Sequence, residues 1–368
     1  MSVSAAFQNA QAGLSVALRR ADIVSSNVSN ALTPGYVRRD LAISERTNGA
    51  GGVGPQVDGV VRAGDAALTR ERRLAEGSSE RERTVAEAHQ ALNRALGEPD
   101  DEYSLSSKYQ QLESSLRQLA TTPESTPNQR QTLEAARTLV ASFNDLGARA
   151  QSLRENADAA IAKDVKYVND TLKQIDGLNR DITLAGKGGR DTSSLQDQRQ
   201  TLINEVSKII PVREISRQDG GVDLITQEGV FLIAGKSREI EFTARGVITP
   251  DLSYNGGAGA LSGISVAGVD ITPGGTRPSQ SIRGGSLSGH FAVRDEIIPS
   301  FTAQIDSLAA DLVQRFEESD PTRATGAPGL FTDAGAAYAS ANEVGLASRL
   351  ALNPAVDPDR GGALWRVR

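Results

Sequence analysis

Cysteine is absent from all 368 residues, which excludes disulfides, thiolate nucleophiles and cysteine-ligated zinc, and leaves the redox compartment open. Histidine is almost absent. His89 and His290 stand alone, with no second histidine or spaced carboxylate cluster beside either, so no metal and no other cofactor is expected. Aromatic residues make up 4% of the chain, too few for the stacking platforms of a nucleic-acid groove, and a net charge of −6 points the same way. The densest basic run is Arg70, Arg72, Arg73, Arg81 and Arg83. It is interleaved with Glu71, Glu76, Glu80 and Glu82 and reads as a solvated helix face, so no nucleic-acid partner is expected. Nowhere do 18 apolar residues run together, and residues 1–20 lack the order of a cleaved leader; no membrane span and no cleaved signal are expected.

What is present is helical periodicity. Val3, Phe7, Ala10, Leu14, Ala17, Ala21, Val24 and Val28 recur at alternating steps of four and three. That spacing lays a seam along one side of a helix. Many of its members are small, so a partner helix could approach closely. The seam reads as an assembly surface between helices; the plainer alternative is a core helix of an ordinary domain. Thr33-Pro34-Gly35-Tyr36 stops the helix, because proline biases the residues before it away from helix and glycine permits a turn. Residues 37–43 alternate like a short strand, 48–55 read as a loop, and 57–63 as a strand pairing back.

Further helices follow. Val85, Ala88, Leu92 and Leu96 share one face, and Leu105, Tyr109, Leu112, Leu116 and Leu119 another. The longest seam runs through Leu139, Phe143, Leu146, Ala150, Leu153, Ala157, Ile161, Val165, Val168, Leu172 and Ile175. With few breaks over residues 133–182, it predicts a rod of roughly 75 Å, a length more typical of coiled coil than of a globular domain. A returning helix carries Leu195, Leu202, Val206 and Ile209 and ends at Pro211. Short β-prone runs separated by glycines then read as a meander over 212–282. Helix resumes from Asp295 with Ile298, Phe301, Ile305, Leu308, Leu312 and Phe316, and a loop-rich tail begins at Pro321. The fold class expected is mainly α with an inserted β domain, that is, a long antiparallel, coiled-coil-like helical bundle plus a small β meander.

No catalytic constellation emerges, and the chain does not read as an enzyme. The run from Gly229 to Gly235-Lys236-Ser237 has five residues between its glycines where a phosphate-cradling loop needs four, and those five are strand formers. Gly285-Ser286-Leu287-Ser288-Gly289 has the letters of a nucleophile elbow without a strand before it and a helix after it.

The stretch Ser26-Asn27-Val28-Ser29-Asn30-Ala31-Leu32-Thr33-Pro34-Gly35-Tyr36-Val37-Arg38 resembles the N-terminal signature of flagellar rod, hook and hook-associated proteins. Two more stretches look like the hook–filament junction branch, the hook-associated protein 1 (FlgK) family. They are Leu195-Gln196-Asp197-Gln198-Arg199-Gln200-Thr201-Leu202 and the segment from Gly284-Gly285-Ser286-Leu287-Ser288-Gly289 through Arg294-Asp295-Glu296 to Gly329-Leu330-Phe331. The resemblance implies a subunit exported unfolded by the flagellar type III apparatus and placed outside the cell at the hook–filament junction. It implies a homo-oligomeric ring at the hook tip that meets the hook protein and a second hook-associated junction protein. It adds Asn27, Asn30, Thr33, Pro34, Gly35 and Tyr36 to the eight seam residues as assembly residues. Residues 1–36 are expected to line an inner tube, 37–210 to form a helical domain with a β-hairpin, 211–290 a solvent-facing β insert, and 291–368 a return helix and loops. Members of the family pair the N-terminal helix with a C-terminal one. The loop-rich end of this sequence carries no such helix, so it reads as a shortened chain in which the family's chaperone contact is not expected. The competing expectations are a hook or distal rod protein and a coiled-coil scaffold unrelated to flagella.

Overall fold

The computed structural model describes residues 3–47, 52–256, 261–320, 323–324 and 326–367. Helix α1 (Val3–Ser29) leads through the Pro-Gly turn into an antiparallel hairpin of β1 (Arg39–Thr47) and β2 (Gly52–Arg62). Residues 52–55, expected as loop, belong to β2, and the strand pair bulges between Ala42 and Ile43 and again between Glu45 and Thr47. The rest of that expected loop, 48–51, lies outside the described residues.

Three helices then build the body. They are α2 (Ala66–Leu96), α3 (Leu105–Thr121) and α4 (Thr126–Lys187), the last 62 residues long, or about 93 Å at 1.5 Å per residue. Helix α5 (Ser193–Ile209) returns along α4. The inserted β region follows. Strands β3 (Val212–Ser216), β4 (Val222–Thr226), β5 (Phe231–Ala234) and β6 (Lys236–Ser237) form one antiparallel sheet in that order. Strands β7 (Ile240–Glu241), β8 (Ser265–Val266) and β9 (Val269–Asp270) form a second. Helix α6 (Gly285–Ala292) passes through a π-helical turn at Val293–Ile297 into α7 (Ile298–Glu318) without a break. The tail pairs β10 (Phe331–Asp333) with β11 (Leu350–Leu352), reached through the short helix α8 (Leu346–Arg349), and packs on α4. The chain is thus mainly helical, with small antiparallel sheets set between α5 and α6.

Helix α4 is the spine because its apolar stripe continues for its whole length and different neighbours cover it in turn. Leu139, Phe143 and Leu146 meet Leu112 of α3, Ile305 and Leu312 of α7, Phe331 and Leu346. Farther on, Ile161, Val168, Leu172 and Ile175 meet Ile203 and Val206 of α5 and Leu224 and Leu232 of the first sheet. The long seam is therefore satisfied within the chain, in keeping with the antiparallel helical bundle expected. Its own antiparallel helices and sheets supply the apolar surface that periodicity alone leaves unassigned.

Helix also resumes ten residues earlier than Asp295. Gly285 and Gly289 look like turn residues in sequence, but they sit in α6 where it crosses α2 and α5. A Cβ on Gly289 would lie 2.8 Å from Thr84 Cβ and 3.1 Å from the Arg81 carbonyl oxygen, and one on Gly285 would collide with the Ile209 carbonyl. The glycines serve close helix packing here.

Candidate functional site

The surface that stands out is α1. Its seam faces solvent: Val3, Phe7, Leu14, Val24 and Val28 are 54–89% exposed, Ala10, Ala17 and Ala21 are exposed beside them, and Leu18 and Leu32 extend the apolar surface. The opposite stripe, through Asn9, Ala12, Val16, Ile23 and Asn27, is half-buried. The hairpin covers it. Gly54 of β2 approaches so closely that a Cβ there would lie 3.1 Å from Ala12 Cβ and 3.3 Å from Asn9 Cα. A helix with apolar residues on two faces, one docked and one open, presents a continuous uncovered patch of the kind that marks an interaction surface.

The signature residues build the joint that aims α1. Tyr36 N–H donates to the Thr33 carbonyl at 3.2 Å, with Pro34 second in the turn and Gly35 third at φ +82°, the pattern of a type II turn. Gly35 also abuts the Thr201 hydroxyl on α5, where a side chain would collide. Asn27 locks the helix end to the strand. Its Nδ2 donates to the Arg39 carbonyl at 2.9 Å, and its Oδ1 accepts from Arg39 N–H at 2.9 Å and from Tyr36 Oη at 2.8 Å. Asn30 Nδ2 donates to the Ser26 carbonyl, and Thr33 Oγ1 donates to Asn30 Oδ1 at 3.3 Å. The structure thus gives Asn27, Asn30, Thr33, Gly35 and Tyr36 contacts within the chain, while Pro34 is exposed.

A second layer ties this joint to the body. The Arg39 guanidinium lies over the Tyr36 ring at 5.0 Å and reaches Asp197 Oδ2 at 3.2 Å; Arg62 Nε donates to the other oxygen at 2.8 Å. Two residues along α5, Arg199 turns the other way and donates to Asn179 Oδ1 and to the Gly220 carbonyl. Asn179 in turn holds both the N–H and the carbonyl of Val222 at the start of β4. The Asp-Gln-Arg stretch therefore fixes the N-terminal unit with one side chain and the inserted sheet with the other. Sequence reasoning found the stretch but not this division of labour, since its partners lie far off in the chain.

Elsewhere, Ser286 Oγ donates to Asp164 Oδ2 at 2.7 Å, and His290 Nε2 stands 3.8 Å from the same oxygen. The carboxylate, not the imidazole, holds the serine, the wrong order for a nucleophile activated by histidine. Burial pushes the His290 imidazole down, against the Asp164 and Glu87 carboxylates. The run 229–237 holds two short antiparallel strands, β5 and β6, that turn at Gly235. Among the described residues no group of His, Asp and Glu could hold a metal ion, and no helix is long and apolar enough to cross a membrane.

Comparison with known proteins bears on the whole of this arrangement. A family model for the "Flagellar hook-associated protein FlgK helical domain" matches residues 89–325, and one for "Flagella basal body rod protein" matches residues 7–36. The chain is 30% identical over 323 residues to flagellar hook-associated protein 1 of Salmonella typhimurium, covering 85% of this chain and 56% of that protein. It is 24% identical over 341 residues to the Bacillus subtilis protein of the same name, covering 84% and 66%. The chain thus spans a little over half the length of the first of these relatives. The structure of the flagellar hook junction protein FlgK from Burkholderia pseudomallei shares the fold, with a TM-score of 0.57 at 20% identity over 72% of this chain and 46% of that one.

Proposed function

We propose a function from one premise: the chain belongs to the flagellar hook-associated protein FlgK family, whose members are structural proteins of the flagellum. On that premise the chain is a subunit that joins hook to filament by helical self-assembly, and it performs no catalysis. The uncovered apolar seam of α1 carries this reading. A helix docked on one face by its hairpin and bare on the other is completed by neighbouring copies, through Val3, Phe7, Leu14, Val24 and Val28. Residues 1–36 line the inner tube, 37–210 stand outside them, 211–290 face solvent and 291–368 close the body. The match of residues 89–325 to a helical domain supports the junction over a hook or distal rod subunit.

The chain is exported unfolded through the flagellar type III route and meets the hook protein on one side and a second hook-associated junction protein on the other. Folding of α1 then accompanies assembly, since the hairpin leaves its seam without apolar cover. Deleting the gene is expected to give cells that shed filament subunits into the medium and do not swim. A Phe7→Asp, Leu14→Asp variant is expected not to restore motility, whereas the unchanged gene does. Unchanged swimming in the deletion strain overturns the assignment.

A further inference from the structure

One cleft is not used by the N-terminal seam. It encloses about 520 Å³ where the base of β2, the start of α2 and strand β3 meet, and Arg62, Arg70, Arg73 and Arg213 line it with Asp65 and Glu214. Two of the four cations are committed. Arg62 pairs with Asp197, and Arg73 with Glu214 and Asn204. Yet Arg73 is only 3% exposed and its Nη2 has no hydrogen-bond partner, so one of its donors is left unsatisfied. Arg70 stands 3.8 Å from Glu71, a loose and exposed pair, and Arg213 has no ion pair among the described residues. Asp65 is spent on capping α2, accepting from the N–H groups of Ala67 and Leu68. With Arg39 and the partners Asp197 and Glu71 included, five arginines face four acids and leave the cleft at +1, in a concave site that focuses field on an incoming anion.

The opposite charge lies at the other end of the same helix. Glu98, Asp100, Asp101 and Glu102 crowd the turn between α2 and α3. Asp101 accepts the Tyr103 N–H, whereas Glu98, Asp100 and Glu102 make no ion pair among the described residues. Even with Arg94 and Lys108 nearby the turn keeps a charge of −2. The 31 residues of α2 separate the two features by about 46 Å, too far to meet within one molecule. A basic cleft and an acidic turn at opposite ends of one rigid helix are self-complementary in the head-to-tail sense that builds rings or helical chains.

We infer that the arginine cleft at the start of α2 receives the acidic turn 98–102 of a second copy of this chain. This rests on the reading of the chain as an assembling subunit and names a contact separate from the α1 seam. The gain is orientation more than affinity, because exposed charge pairs fix register and partner while contributing little binding strength.

The absence of natural cysteine makes a clean test. Ser216→Cys places a thiol on the cleft rim and Tyr103→Cys one in the exposed turn, leaving every charge in place. With the two full-length variants mixed under mild oxidation, the 216–103 heterodimer is expected at least fivefold above the product of either with a Ser79→Cys control midway along α2. Arg70→Glu with Arg213→Glu in the cleft partner is expected to cut the yield about tenfold. Asp100→Lys with Asp101→Lys in the other partner restores it. Salt near 1 M, where the Debye length is about 3 Å, suppresses it as well. A yield equal to the control, or one indifferent to charge reversal, overturns the contact. Either result leaves the flagellar assignment to be judged by the motility of the deletion strain.

Discussion

Asn27 does the work of several residues in one side chain. Its amide satisfies both backbone groups of Arg39 and the Tyr36 hydroxyl, so the end of α1 and the start of β1 are held by side-chain hydrogen bonds across a turn. Asn27→Ala removes all three and is expected to cost about 1–2 kcal/mol, felt locally. The Arg39 amide should then exchange its hydrogen faster while amides in the middle of α4 keep their rates; unchanged exchange at Arg39 tells against the clamp. The turn itself is legible in the sequence, because Pro34 and Gly35 dictate it by backbone geometry alone. The clamp is not. Its acceptor and donor sit twelve residues on, beyond the turn, and nothing in local propensity pairs Asn27 with Arg39.

At the scale of elements, periodicity finds the helices well and their neighbours poorly. The α4 stripe from Leu139 to Ile175 is readable from spacing, and all of it except the half-buried Leu153 is buried. Spacing is silent on what covers a stripe, so the same pattern suits an uncovered seam in α1 and an internal core in α4. Glycine misleads in α6 for a related reason. A residue without a side chain marks a turn in isolation and a close crossing in context, and only the nearness of α2 separates the two. Gly289→Val inserts a branched side chain where even a Cβ would press on Thr84 and the Arg81 carbonyl oxygen. The expected loss is about 1–3 kcal/mol, read as a lower urea midpoint with an unchanged slope. A midpoint equal to that of the unchanged protein would mean that α2 and α6 part easily.

In the molecule as a whole, α4 gathers the core around itself, and among the described residues α1 leans chiefly on a two-stranded hairpin. Two strands are marginal by themselves. Backbone amides in α1 are therefore expected to exchange at least about 100-fold faster than those in the buried middle of α4 when the chain is free in solution. They should slow once copies associate. Protection of α1 matching that of α4 in the isolated chain would contradict an interface completed by neighbours.

The two oxygens of Asp197 hold Arg39 at the first residue of β1 and Arg62 at the last residue of β2. A pull along α1 thus divides between two connections in parallel, the peptide chain at residues 63–65 and this ionic tether. The tether gives way first, since electrostatic attraction yields where covalent bonds do not. The joint is stiff under small loads and compliant beyond a threshold, and that threshold falls only slightly as the surrounding brine grows stronger, because the bridge is largely buried.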